Sequence, residues 1–127
     1  MSRRHATVWI DHKEAKVFHL DGEGIVDASV LHAPHHHVRP HDAVTAERSH
    51  PADAEHFYHA VAMALERAAE ILVVGPATAK LELIKPLHKH HHAVANKVIG
   101  VETVDHPTDG QLLKYARGYF RASDRMH

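Results

Sequence analysis

The feature that most constrains the fold is the stretch at residues 71–80, which reads ILVVGPATAK. Its first four residues are apolar and three of them are β-branched, a pattern typical of a strand buried on both faces of a sheet. Gly75 and Pro76 end the strand, and proline suits the first turn of a helix because its missing N–H is not needed there. The stretch therefore predicts a central strand that leads directly into a helix.

The composition is that of one ordinary domain. The chain has 127 residues, of which 44% are hydrophobic, so we expect residues 1–127 to form a single domain with its own core. No apolar run approaches the roughly 18 residues of a transmembrane helix, and no apolar segment follows the basic N-terminus, so neither a membrane span nor a signal peptide is expected. The absence of cysteine fits a cytoplasmic address.

Hydrophobic patterning predicts the element order βββ-α-β-α-β-α. The first three strands, separated by polar turns, form an antiparallel meander. Alternating strands and helices follow, and this order predicts an α/β fold in which helices pack on a mixed five-stranded sheet. The expected strands are 6–10, 15–20, 25–31, 70–74 and 97–104, and the expected helices are 52–69, 76–91 and a last one from about 109.

The second and third helices carry additional signals. In the second, Leu81, Ile84 and Leu87 share one helical face, and the lysines Lys80, Lys85 and Lys89 are expected on the outer side. Pro86 should kink or split this helix because it removes a backbone donor. A Thr-x-x-Gln capping box at residues 108–111 predicts the start of the third.

Histidine is unusually frequent, with 17 residues against a formal charge of −1. Several lie in the segment 32–50, which lacks apolar periodicity and predicts a long exposed loop. Because imidazole binds Zn²⁺ and Ni²⁺, the loop is a candidate metal site, and so is a histidine pair at i, i+4 spacing on the second helix. The candidate ligands are His32, His35, His37 and His41 in the loop and His88 and His92 on the helix. A solvated polar loop and a solvated helix end remain open as alternatives.

Three segments together resemble the middle domain of the eukaryotic and archaeal peptide-release factors and of Pelota. They are Trp9-Ile10-Asp11-x-x-x-Ala15, residues 71–80 and residues 101–112, and the strand followed by Gly-Pro and Ala-Lys is the most specific. The chain is also similar to short bacterial proteins described as translational machinery proteins, which correspond to that domain standing alone. The resemblance implies a ribonuclease H-like fold and a role in translation.

One departure from the family pattern changes the expected activity. In release factors the loop before the first long helix carries a Gly-Gly-Gln motif, which positions the hydrolytic water. Residues 32–50 take that place here, and Gly-Gly-Gln occurs nowhere in the chain. Pelota also lacks the motif, so the resemblance implies a ribosome-associated protein that is not an enzyme. No cofactor is required for such a role, and no small-molecule substrate is identified.

If the partner is the ribosome or RNA, cationic side chains would contact the phosphate backbone. The near-zero net charge argues against strong nonspecific binding near neutral pH, so affinity should rise on acidification as histidines gain charge. The candidate RNA contacts are His35, His36, His37, Arg39 and His41 of the loop and Lys85 and Lys89 of the second helix.

Two other functions fit the residue types. One is metal binding or buffering through the His-rich loop. The other is a Mg²⁺-dependent nuclease, which would need several converging carboxylates, and Asp11, Glu82, Glu102 and Asp105 are candidates by residue type alone. A turn residue that starts the first hairpin is the better interpretation of Asp11.

Overall fold

The computed structural model describes residues 4–21, 24–33 and 51–125. Within these ranges the element order confirms the predicted α/β fold and adds one short helix before the last strand. The strands are β1 His5–Ile10, β2 Glu14–Leu20, β3 Ile25–His32, β4 Glu70–Gly75 and β5 Val98–Thr103. The helices are α1 Pro51–Leu65, α2 Ala79–His90, α3 His92–Ala95 and α4 Asp109–Arg125.

The sheet is mixed, with five strands in the order β3-β2-β1-β4-β5. Strands β1, β2 and β3 form the antiparallel meander, and β4 joins β1 in parallel, with Val8 beside Val73 and Trp9 beside Val74. Strand β5 then pairs in parallel with β4. This is the ribonuclease H-like sheet that the sequence predicts, and β4 lies inside it as expected.

Both faces of the sheet are covered by helices. On one face Val8, Ile10 and Val73 pack with Phe57 of α1 and Leu83 of α2. On the other face Trp9, Leu72 and Val74 pack with Leu112, Ala116 and Phe120 of α4. Residues 71–74 of β4 are all fully buried, which confirms that this strand is covered on both sides.

Helix α2 begins at Ala79 rather than at residue 76. Its predicted apolar face is correct only in part, because Leu87 and Ile84 pack in the core but Leu81 does not. Leu83 and Leu87 are fully buried, whereas Leu81 is 52% exposed. Lys80, expected on the outer side, is buried and donates from Nζ to the carbonyl of Ala77. The reason is that two sets of apolar residues in α2 have helical spacing. The tight turn at 76–78 orients the helix so that the set with Ala79, Leu83 and Leu87 is buried.

Of the two effects expected of Pro86, a split of this helix is wrong, and a kink stays a prediction. Helix α2 continues through Pro86 to His90, and the break falls at His91, whose φ is −137°. The amide of His91 still donates to Leu87, and α3 begins at His92. His88 and His92 therefore lie on different helices, so the premise that a single helix presents them as an i, i+4 pair is wrong.

Helix α4 starts at the predicted capping box. The amide of Gln111 donates to Thr108 Oγ1 at 3.1 Å, and the amide of Thr108 donates to Gln111 Oε1 at 2.9 Å. These two bonds satisfy amides that the first turn of a helix leaves free. Although α4 has 17 residues, neither it nor any other helix in the described ranges has the length and hydrophobicity to cross a membrane.

The end of β4 yields a stability prediction. A Cβ at Gly75 would overlap the backbone carbonyl oxygen of Ile10 on the neighbouring strand, and a buried strand backbone cannot move aside. Gly75→Ala should therefore lower the free energy of unfolding by about 2–3 kcal/mol in urea denaturation. Gly118→Ala is the matched control, because nothing lies within 4 Å of a Cβ there, and it should raise stability by about 0.5–1 kcal/mol. Equal stability of the two variants would contradict this account.

Candidate nucleic-acid interface

Helices α1 and α2 lie on the same face of the sheet and enclose an open groove of about 540 Å³. The side chains that line it are mainly histidines, lysines and carboxylates. From α1 they are Glu55, His56, Tyr58 and His59, and from α2 and its C-terminal end they are Glu82, Lys85, Pro86, Lys89, His90 and His91. This groove contains both lysines predicted as RNA contacts.

The two lysines form the cationic part of the groove. Lys85 and Lys89 are exposed and lie one turn apart on α2. Neither makes an ion pair within the described part of the chain. Lys89 also lies in the last turn of α2, where the helix dipole favours cations. Both ammonium groups are therefore available to an anionic ligand.

A histidine pair joins the two sides of the groove. His59 Nδ1 of α1 lies 3.0 Å from His91 Nε2 at the end of α2, and the ring centroids are 4.9 Å apart. One ring must donate and the other accept, so at least one of the two is neutral in this contact, since an imidazolium has no acceptor. The break at His91 turns the chain so that this ring faces α1.

Glu82 is one of the carboxylates that line the groove. Its Oε2 lies 2.6 Å from His12 Nε2 and accepts a 3.4 Å hydrogen bond from the Tyr58 hydroxyl. Burial of Tyr58, together with the charge and the hydrogen bond of Glu82, raises the pKa of Tyr58 from 10.0 to about 12. The groove thus contains two carboxylates, Glu55 and Glu82, as well as the two lysines.

A depression at the end of β3 lies beside this groove. His32, at the end of β3, and His56, on α1, line one shared depression together with Phe57. His56 also lines the α1–α2 groove. The end of β3 and the α1–α2 groove are therefore linked through His56.

Most of the histidines predicted as ligands or RNA contacts cannot be compared with the structure. His35, His36, His37, Arg39 and His41 lie outside the described residues. His32 is exposed, and its Nδ1 is 4.0 Å from Glu14 Oε2.

The two histidines near the end of α2 are placed separately. His88 is exposed, and His92 lines a different depression with Glu66 and Lys97. Whether either binds metal stays a prediction.

Asp11 is a turn residue. Its Oδ1 accepts hydrogen bonds from the amides of Lys13 and Glu14, both at 2.8 Å, and these bonds shape the first hairpin. The four carboxylates proposed for a nuclease do not form a group in the described ranges. The three-residue group of metal-ligand type found there consists of His5, Glu70 and Asp124.

A basic face on α4 was not predicted as a site. Lys114, Arg117 and Arg121 border a second cavity of about 680 Å³, next to Ile25 of β3. Their i, i+3, i+7 spacing is present in the sequence and places them on one side of a helix. The open cavity beside them follows only from how α4 lies against β3.

The groove yields a spectroscopic prediction. Absorbance titration of tyrosinate, with Tyr58→Phe as the reference, should assign a pKa near 12 to Tyr58. Glu82→Gln should move it toward 10.0, because the charge is lost. Because the folded state holds this proton more tightly than the unfolded state, stability should fall as pH rises from about 10 to about 12.

The matched control is Glu102→Gln, which removes a carboxylate that raises the pKa of Tyr115 and Tyr119 instead. An unchanged pKa of Tyr58 in Glu82→Gln would show that the Tyr58–Glu82 contact does not form in solution.

Comparison with solved structures finds this fold in Pelota, in a translation termination factor and in a translation termination-like factor. Pelota of Thermoplasma acidophilum aligns with a TM-score of 0.62 and 17% identity, over 90% of this chain and 32% of that one. An archaeal translation termination factor, aRF1, aligns with a TM-score of 0.60 and 14% identity, over 89% of this chain and 33% of that one. A translation termination-like factor of S. cerevisiae involved in RNA quality control aligns with a TM-score of 0.58 and 11% identity, over 94% of this chain and 33% of that one.

These likenesses confirm the structural resemblance to a domain of Pelota and the release factors. The chain spans about a third of the length of each of these proteins. At such identities the likeness shows the fold alone. No family model matches the sequence, and no curated protein matches it.

Proposed function

We propose that this protein is a cytoplasmic, translation-associated factor that contacts the ribosome or its RNA and has no hydrolytic activity of its own. Its fold is shared by a translation termination factor and by a translation termination-like factor, which supports a role near the ribosome. The chain has no Gly-Gly-Gln, so the proposal does not include peptidyl-tRNA hydrolysis.

The observation that carries the proposal is the pair Lys85 and Lys89 in the α1–α2 groove. Four residues on a helix separate them by about 6 Å along its axis, so both can face one nucleic-acid strand. An ammonium group binds phosphate as a point charge and releases counterions when it does so. His59, His90 and His91 line the same groove.

The segment 34–50 would extend the same contact. His32, which precedes this segment, lines a depression shared with His56, and His56 also lines the groove. The predicted contact residues His35, His36, His37, Arg39 and His41 belong to this segment. We propose that the segment and α2 contact one continuous stretch of RNA.

Co-sedimentation with purified ribosomes, at about pH 6 and about pH 7.5, tests the proposal. Wild-type protein should bind at low salt, and more tightly at the lower pH. Lys85→Glu/Lys89→Glu should weaken binding by about 10-fold or more and reduce the slope of log K against log salt by about 2. The matched control is Lys13→Glu/Arg67→Glu, which makes the same charge change at exposed positions outside the groove and should bind as wild type.

No binding of the wild-type protein at either pH in low salt would overturn the proposed function. Equal binding by wild-type protein and the groove variant would exclude the groove as the contact. Lys114→Glu/Arg117→Glu would then test the basic face of α4.

A second candidate function is metal binding or buffering through histidines, and the His59–His91 pair favours it. Two imidazole nitrogens 3.0 Å apart are close enough to bind one Zn²⁺ or Ni²⁺ ion. Equilibrium dialysis against each ion should show stoichiometric binding tighter than micromolar. Replacing His35, His36 and His37 by alanine tests the predicted loop site, and His59→Ala tests the pair. Weak binding that neither change alters would exclude this function.

A further inference from the structure

The amino ends of the two central parallel strands hold a second group of metal-binding residue types. His5 is the first residue of β1, Glu70 is the first residue of β4, and Asp124 lies in the last turn of α4. One ligand atom from each side chain lies within 4.8 Å of the other two. Because β1 and β4 are parallel, this group lies at the amino ends of the two strands, and the contact of Gly75 with Ile10 lies at their carboxyl ends.

Two of the three side chains are held in place. His5 Nε2 lies 3.1 Å from Glu70 Oε1, and the two side chains are only 19% and 13% exposed. The ring of His5 also stacks on Phe120 of α4, with the centroids 4.2 Å apart and the planes at 24°. Asp124 follows Phe120 by four residues, so the same helix that fixes the imidazole also carries the third ligand.

The donors suit a divalent transition metal. Zn²⁺ binds imidazole nitrogen at about 2.0–2.1 Å and carboxylate oxygen at about 2.0–2.2 Å, so two ligands of one ion lie about 3 Å apart. The separation of 3.1 Å between His5 and Glu70 meets this requirement. Asp124 is exposed, and a side-chain rotation is enough to bring its carboxylate to the same ion.

We propose that His5, Glu70 and Asp124 bind one divalent transition-metal ion, Zn²⁺ or Mn²⁺, which ties the end of α4 to the starts of β1 and β4. The positive charge of the ion would neutralise the negative charges of Glu70 and Asp124. Because the ligands come from three separate elements, the site exists only in the folded chain, so the metal would stabilise the fold. This inference does not depend on ribosome binding.

The test must separate this site from sites formed by the other histidines. Mn²⁺ does so because it prefers a site with carboxylate oxygens to a site made of imidazoles alone. Addition of Mn²⁺ to ¹⁵N-labelled protein should broaden the amide signals of residues 4–6, 69–71 and 121–125 before any others. Glu70→Gln and Asp124→Asn should each weaken Mn²⁺ binding by about 10-fold or more, as loss of a ligand costs at least as much as loss of an outer-shell partner.

Asp105→Asn is the matched control. Asp105 Oδ1 lies 2.9 Å from His106 Nδ1, a comparable histidine–carboxylate pair that has no third ligand within the described ranges. It should bind Mn²⁺ as wild type does. If Glu70→Gln fails to fold because His5 loses its partner, the exposed Asp124→Asn variant decides the outcome. Broadening centred elsewhere, or wild-type affinity in Asp124→Asn, would overturn the proposal.

Discussion

The rest of the structure depends on the parallel pairing of β1 with β4, which ends in a close backbone contact at Gly75. Gly75 lies so close to the carbonyl of Ile10 that a side chain at that position is excluded. At the same point the amide of Val104 donates to the carbonyl of Gly75, and Trp9 Nε1 donates to the carbonyl of Asp105. The three segments that resemble the release-factor domain therefore meet in space at one end of the sheet.

The groove follows from this junction in a chain of steps. The strand end fixes where α2 begins, and this buries Lys80 and Leu83 and leaves Lys85 and Lys89 facing out. The same helix ends at His90, and the turn at the next residue brings an imidazole to α1. A core contact made by a glycine thus determines which cations the surface presents, although it lies outside the groove itself.

The sequence predicts the elements far better than it predicts the sites. The strands and the capping box depend on neighbouring residues, so local patterns were enough to identify them. The buried face of α2 is predicted only in part: Leu87 and Ile84 pack in the core, whereas Leu81 is exposed and Leu83 is buried in its place. No sequence spacing identifies the contact of His59 with His91, 32 residues apart, or of His5 with Glu70, 65 residues apart. Tertiary packing alone creates those pairs.

The claim that the α1–α2 groove is the ribosome-contacting surface is tested most directly by hydrogen exchange of the intact protein with and without ribosomes, read by mass spectrometry. The account predicts slower exchange in the peptides that carry residues 55–59 and 85–91. It predicts no change in β5, which is the edge strand opposite β3. Protection confined to α4, or no protection of any peptide at saturating ribosome concentration, would contradict it.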